Sequence, residues 1–512
     1  LYNLPDFLFG AQSAYSLSNQ IVLNYRQRMH FAYLQDDWKV NSKLAVNLGV
    51  RYEFATPQYE AQNRISSFDP VANKLIQAKD GSLYDRSLVN PDRNNWAPRV
   101  GLAYQVTDKT VVRSGYGISY IHFNRLGGEN LLGYNGPNIV NLTINQTPAL
   151  PACTGNNYQN CFRLIQQGFP EGLVNPSNFS TATTRTNYTP SDYKTSYVQS
   201  WHLTVQRELA HNLVLDVAYV GNRSNGLMIL ADYNQARPNN IGENLSLLAR
   251  RPIQGFSDIQ ISYGGGFAAY HAMQVKLEKR YSAGIYLLNS FTWSKALDNA
   301  SGHLETANGD NSRVNYRNLP GEKAIGGYDQ PFNNTSTILL ELPYGRGRRW
   351  GSSTPGVVNV LLGGWRITGI NTMTSGQPVN VNYTVPAAQQ ASSYPTYRPD
   401  YIGGSIYPAT QTPTTWLNRA AFAVPATNIL FGSAGRNIAR TESIYNFDFG
   451  LHKEFPLFRE DWKLQFRSEF FNLFNTTNLG SPATNISNAN FGQITGLASP
   501  ARQIQFALKL VF

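Results

Sequence analysis

Charge is scarce in this chain. Only 15% of its 512 residues are Asp, Glu, Lys or Arg, against about a quarter in an ordinary soluble domain. Cysteine is scarcer still, with Cys153 and Cys161 alone. No apolar run approaches the ~18 residues of a membrane-crossing helix, which excludes a helical transporter. The seven histidines (His30, His122, His202, His211, His271, His303, His452) form no H-E-x-x-H or other close metal-ligand spacing. G-x-S-x-G, Walker A and Rossmann glycine motifs are all missing. Ser191–Lys194 fits S-x-x-K, but no K-T-G follows it. Catalysis is therefore the least favoured class, and no cofactor is implied.

What is present is aromatic and alternating. Tyr numbers 30 and Phe 26. From residue 43 to 55, Leu44, Val46, Leu48, Val50, Tyr52 and Phe54 fall on one side of a period of two. Ala45, Asn47, Gly49, Arg51 and Glu53 fall on the other. The pattern recurs and predicts thirteen strands, near 28–39, 43–55, 97–106, 110–121, 196–209, 213–223, 268–280, 284–297, 331–343, 361–375, 443–455, 461–474 and 501–512.

Their connections alternate in length. Short turns are expected at 40–42, 107–109, 210–212, 281–283 and 456–460, with a longer one at 344–360. Long Asn/Gly/Pro/Ser/Thr-rich segments occupy 56–96, 122–195, 224–267, 298–330, 376–442 and 475–500. A soluble sandwich also alternates, but its strands average about 5–6 residues. A tilted strand needs about 9–11 residues to cross a bilayer, and one-sided long loops mark an outer-membrane barrel. The expected fold is an all-β, transmembrane antiparallel β-barrel with short periplasmic turns and long extracellular loops.

Other features fit a membrane setting. Trp38, Trp201, Trp293, Trp365 and Trp462 fall near strand ends, as interfacial girdles favour. The last strand presents Ile504, Phe506, Leu508, Leu510 and Phe512 on one face, a pattern suited to recognition by barrel-assembly machinery through strand pairing. Cys153 and Cys161, eight positions apart, predict one local disulfide, two free thiols being the alternative. The net charge of +11 is scattered. No nucleic-acid motif accompanies it, and phosphates of lipid headgroups or lipopolysaccharide would suit such a surface equally well, so charge alone does not decide the partner. Arg51, Glu53, Asp216, Glu278, Asp448, Glu454, Arg467 and Glu469 are expected on the lumen face as a wall network. Asp298, Glu305 and Asp310 share one long loop and could hold a hard cation, a solvated acidic loop being the plainer reading.

Several blocks carry a family resemblance. They are PDFLFG (5–10), YLQDDWKVNSKLAVNLGVRYEF (33–54), QSWHLTVQRELAHNLVLDVAYVG (199–221), QVKLEKRY (274–281), FTWSKALD (291–298), GGWRITGINTMTSGQPV (363–379), FRSEFFNLFN (466–475) and RQIQFALKLVF (502–512). Together, and in this order, they resemble TonB-dependent receptors of the outer membrane, of the Oar-like subgroup. The resemblance implies a 22-stranded barrel, of which these strands would be the last thirteen. It also implies an N-terminal plug, a TonB box and often a carboxypeptidase-regulatory-like domain, none of which is located in this sequence. Residues 1–512 are therefore expected to be the C-terminal part of a receptor barrel, without a separate domain.

By the same resemblance, the TonB–ExbB–ExbD system would act through the plug region, and the loops would capture a small-molecule, glycan or peptide ligand for energised uptake. A passive pore and a surface role in adhesion or secretion support stay open. Deleting Phe512 from the full-length protein is expected to lower the heat-modifiable, membrane-embedded fraction. Normal amounts of folded barrel in the membrane would contradict the role of the last strand.

Overall fold

The computed structural model describes residues 3–19, 21–122, 131–303, 306–307, 310–311, 313–386, 389–391, 396–457 and 462–512. Thirteen strands form an antiparallel meander. They are β1 (Met29–Lys39), β2 (Leu44–Ala55), β3 (Trp96–Thr107), β4 (Thr110–Ile121), β5 (Ser196–Ala210), β6 (Leu213–Asp232) and β7 (Ile259–Ser282), followed by β8 (Ile285–Asp298), β9 (Phe332–Glu341), β10 (Trp365–Thr374), β11 (Ile444–Pro456), β12 (Lys463–Phe471) and β13 (Gln503–Val511). Each lies where the alternation predicts it. Three short loop strands, Thr186–Tyr188, Arg313–Val314 and Ala324–Ile325, extend the sheet to sixteen.

Cross-strand register explains why this pattern makes a wall. Leu44, Val46 and Leu48 stand opposite Tyr104, Leu102 and Val100. At the other end of the sheet Leu464 and Phe466 stand opposite Leu510 and Leu508. Polar residues meet on the other face: Gln206 with Asp216, Asp216 with Lys276, Glu341 with Arg366, and His452 with Arg467. A slip of one residue would exchange the faces, so the apolar side fixes the register. Tight turns support it. Ala283 and Gly284, at φ 52° and 78°, join β7 to β8 as a two-residue hairpin that requires positive φ at both positions.

The apolar face of the wall is bare. Leu34 is 75% exposed, Leu508 68% and Trp293 63%. That much uncovered apolar surface demands lipid or a partner. Trp96, Trp201 and Trp293 lie toward the loop end of their strands. Trp38 and Trp365 lie at the turn end, and Trp462 directly precedes β12. From Leu44 to Phe54 the apolar stripe of β2 runs about 33 Å along the strand, or about 25 Å of height at the usual tilt.

Three strand boundaries differ from expectation. β6 continues to Asp232 and β7 begins at Ile259, so both overhang the wall, and there Ile229, Leu230, Ile259 and Ile261 are buried. Protein covers both faces of this overhang, which removes the alternation that defines a half-exposed strand. β10 starts at Trp365, because residues 356–362 form a helical turn instead. The turn at 456–460 and the start of the strand at 461 lie partly outside the described residues.

Among the described residues, β1 and β13 each have one wall partner. Their number being odd, the two edge strands run in the same direction. Pairing them with each other would be parallel, unlike every other wall contact.

Leu48→Arg, placed mid-height on the apolar face, is expected to destabilise the barrel in vesicles by about 2–4 kcal/mol, and Gln274→Arg on the polar face by less than about 1 kcal/mol. Denaturant titration in lipid vesicles measures both.

Candidate functional site

The long connections are not loose loops. Two of their buried clusters are large. One gathers Ala236, Val379, Val381, Tyr383, Val385, Trp416, Phe422, Leu430 and Ile486. Another packs Phe68, Tyr188, Phe256 and Val314 against the overhang of β6 and β7. The hydrophobic core of the molecule therefore sits above the wall, as a cap at the end opposite the short turns. In an outer-membrane barrel that end is extracellular.

Buried ion pairs tie the cap's loops together. Arg251 lies between Asp232, at 2.9 Å, and Asp258. Arg398 grips Glu322 with both terminal guanidinium nitrogens at 2.8 and 3.1 Å, joining the 298–330 and 376–442 connections. Arg436 donates to Asp298 at 3.0 Å across the same junction, and Arg440 pairs with Asp329. Breaking one such buried pair leaves a charge without water or partner, a cost of about 3–5 kcal/mol.

Beneath the cap lies a cavity of about 320 Å³. Its floor includes Ile121 paired with Ser196 and Ala268 paired with Asp298, all on the polar face of the wall. The cavity thus opens toward the lumen. Tyr193, Met228, His303 and Tyr328 supply aromatic, thioether and imidazole surface around it. A smaller pocket of about 60 Å³ shares His122, Tyr193 and Met228. Side chains here are preset by hydrogen bonds: His122 Nε2 lies 2.6 Å from Glu53 Oε2, Tyr193 Oη 3.2 Å from Ser196 Oγ, and His303 Nε2 2.8 Å from Ser262 Oγ. Such a site holds a ligand by stacking and amide or hydroxyl contacts.

The residues named from sequence divide cleanly. Cys153 and Cys161 are joined in a disulfide, with Cα atoms 4.9 Å apart. Ile504, Phe506, Leu508 and Leu510 lie on the bare face of β13, with Phe512 just beyond it. Of the lumen charges, Glu278 pairs with Lys276 at 2.7 Å and Glu53 with Arg51, whereas Glu454 accepts from Gln465 at 3.0 Å, Arg467 donates to Gln465 at 3.2 Å and Asp448 accepts from the Asn472 N–H at 2.8 Å. Asp298 is 7% exposed and committed to Arg436 and Ser301, which removes it from a cation site. Glu305 and the side chain of Asp310 lie outside the described residues. Lys194 of the S-x-x-K match pairs with Asp92 at 3.4 Å. The cap's arginine clamps and the cavity were missed from sequence. The alternation of Val379, Val381, Tyr383 and Val385 was the signal that a loop here carried a core.

Residues 2–505 match the family described as the outer membrane beta barrel domain. The chain belongs to that family, and its place is the bacterial outer membrane. Solved structures to which the chain is similar include the siderophore receptor PirA of Acinetobacter baumannii, at 12% identity and TM-score 0.44, covering 95% of this chain and 46% of that one. The ferric-catecholate import receptor Fiu of E. coli K12 follows at 11% and 0.43, covering 95% and 45%. The ferripyoverdine receptor of Pseudomonas aeruginosa stands at 10% and 0.43, covering 95% and 39%. The chain spans less than half the length of these receptors. No curated protein matches it.

Glu60 offers a pH handle on the cap. It is fully buried and accepts hydrogen bonds from the backbone N–H groups of Asn24, Gln62 and Arg64 at 3.0, 2.8 and 3.0 Å, and from the Arg64 guanidinium at 2.7 Å. Burial raises its pKa, but Arg64 and the three amides outweigh burial and hold it at about 2. A carboxylate depressed in the folded state stabilises fully above its unfolded value, near 4.3, and loses that stability as pH falls toward 2. Amide exchange at Asn24, Gln62 and Arg64, corrected for intrinsic rates, should therefore accelerate between pH 4 and about 2. In Glu60→Gln it should already be fast at neutral pH.

Proposed function

We propose that the chain is the C-terminal barrel portion, residues 1–512, of an Oar-like TonB-dependent receptor that captures a scarce solute and passes it inward. The observation that carries this reading is the cap cavity, walled by Tyr193, Tyr328 and His303 and open to the polar face of the wall. A rigid, internally clamped cap favours selective capture over free diffusion. The lumen below it is lined by paired charges and amides, the surface against which a plug or a hydrated solute can slide.

Two same-direction edge strands support the view that further strands complete the barrel, since hydrocarbon tolerates no unpaired strand edge. The plug and the TonB–ExbB–ExbD contact belong, on this reading, to the rest of the receptor. The terminal segment, Ile504 to Phe512, is the element offered to the assembly machinery, and the outer face meets phospholipid and lipopolysaccharide. Catalysis has no part in the proposal.

Growth that depends on the full-length protein for a limiting solute should collapse when TonB is deleted. Tyr193→Ala with Tyr328→Ala should raise the solute concentration needed by roughly tenfold, about 0.7 kcal/mol for each of the two lost aromatic contacts, while leaving TonB dependence intact. Growth indifferent to TonB would contradict energised uptake and favour a passive pore.

A further inference from the structure

The connection between β9 and β10 is unlike the other turn-end connections. Residues 344–364 contain Arg346, Arg348 and Arg349 and no acidic residue. They include a seven-residue helix, α1 (Gly356–Leu362), of sequence GVVNVLL. Five aliphatic side chains of α1 face outward: Val357 is 76% exposed and Leu361 60%, with Val358, Val360 and Leu362 also bare. Its one polar side chain is already used, since Asn359 Oδ1 accepts from the Arg346 backbone N–H at 2.8 Å. A helix apolar all round needs an apolar neighbour, and water does not provide one.

The helix is pinned to the lipid side of the wall. Trp365 Nε1–H donates to Leu361 O at 2.9 Å. Lys453 Nζ donates to the same carbonyl at 3.3 Å and to Gly363 O. Trp365 and Lys453 are register partners, and Lys453 in turn faces Phe466, which faces Leu508 on the bare face. The Lys453 ammonium sits over the Trp365 and Phe455 rings at 5.1 and 5.2 Å, so this charge is satisfied beneath the helix terminus and is 3% exposed. The apolar surface of α1 therefore continues the lipid-facing surface of β10–β13 at its periplasmic rim. Arg349, stacked 5.7 Å from Trp350, and Arg346 are exposed beside it.

From this continuity and charge we infer that residues 344–364 form an interfacial anchor in the periplasmic leaflet of the outer membrane. Val357 and Leu361 enter the acyl boundary, and Arg346 and Arg349 meet the phosphates of anionic phospholipid. A short apolar helix flanked by basic residues at this depth binds through buried apolar area plus attraction to anionic headgroups. The occupant of this face is lipid, not a plug segment, a second copy or a periplasmic protein.

The test uses the full-length protein, reconstituted in phosphatidylethanolamine vesicles with and without phosphatidylglycerol. Val357→Cys carries a spin label, and Leu508→Cys provides the wall control. The Val357 label should relax strongly with oxygen and weakly with a water-soluble nickel chelate. Adding phosphatidylglycerol should deepen it further, and Arg349→Gln should abolish that increment. A nickel-accessible label at 357 overturns the anchor, and a label shielded from both reagents overturns it in favour of a protein partner. No response to phosphatidylglycerol overturns the anionic-lipid contact. The Leu508 control reads lipid in each case, which separates failure of the anchor from failure of the membrane wall.

Discussion

Backbone polarity in hydrocarbon governs this molecule. An unpaired N–H or C=O inside a bilayer costs several kcal/mol, so a chain that crosses with strands must pair every strand on both sides. The thirteen-strand meander follows from that demand. Strand length follows from bilayer thickness, and the period-two pattern follows because one face must satisfy lipid and the other water. The same demand makes the two single-partner strands, β1 and β13, the places where the described sheet is chemically incomplete.

Above the membrane the rules change, and so does the chain. Water can satisfy the backbone there, and stability comes from ordinary burial. Phe68, Tyr188, Phe256 and Val314 pack on the overhang of β6 and β7, while Val381, Phe422 and Ile486 form a second core. The molecule has its lipid-facing side chains in one half and its protein-facing core in the other. Its buried Arg–carboxylate pairs lie in the cap or at its junction with the wall, where they fix how the loops meet over the lumen. Pairs of this kind add little net stability yet penalise wrong arrangements. That suits a cap in which several loops must meet in one arrangement.

The wall was legible from sequence because its code is local. Six alternating apolar residues from Leu44 to Phe54 define β2 without reference to anything distant. The cap was not legible, because its contacts are long-range: Arg436 meets Asp298 across 138 positions, and Val381 meets Ile486 through a core assembled from several loops. The overhang of β6 was lost from view where G-L-M-I-L-A stops alternating, since a strand covered on both faces has no polar side to reveal it. GVVNVLL was divided between a turn and a strand, because a heptad with a single polar residue, Asn359, shows neither period. Asp298 read as a free loop acid for a related reason: its partner is distant in sequence.

Family membership, the alternating register and the bare apolar face all converge on one claim, that the even-numbered side of β2 looks into lipid. Brominated-lipid quenching of a fluorophore moved one residue at a time from residue 44 to 54 of the full-length protein measures this directly. Strong quenching at Leu44, Val46, Leu48, Val50, Tyr52 and Phe54, with weak quenching at the intervening positions, is the result expected. Uniform quenching, or strong quenching at Asn47 and Arg51 instead, would contradict it.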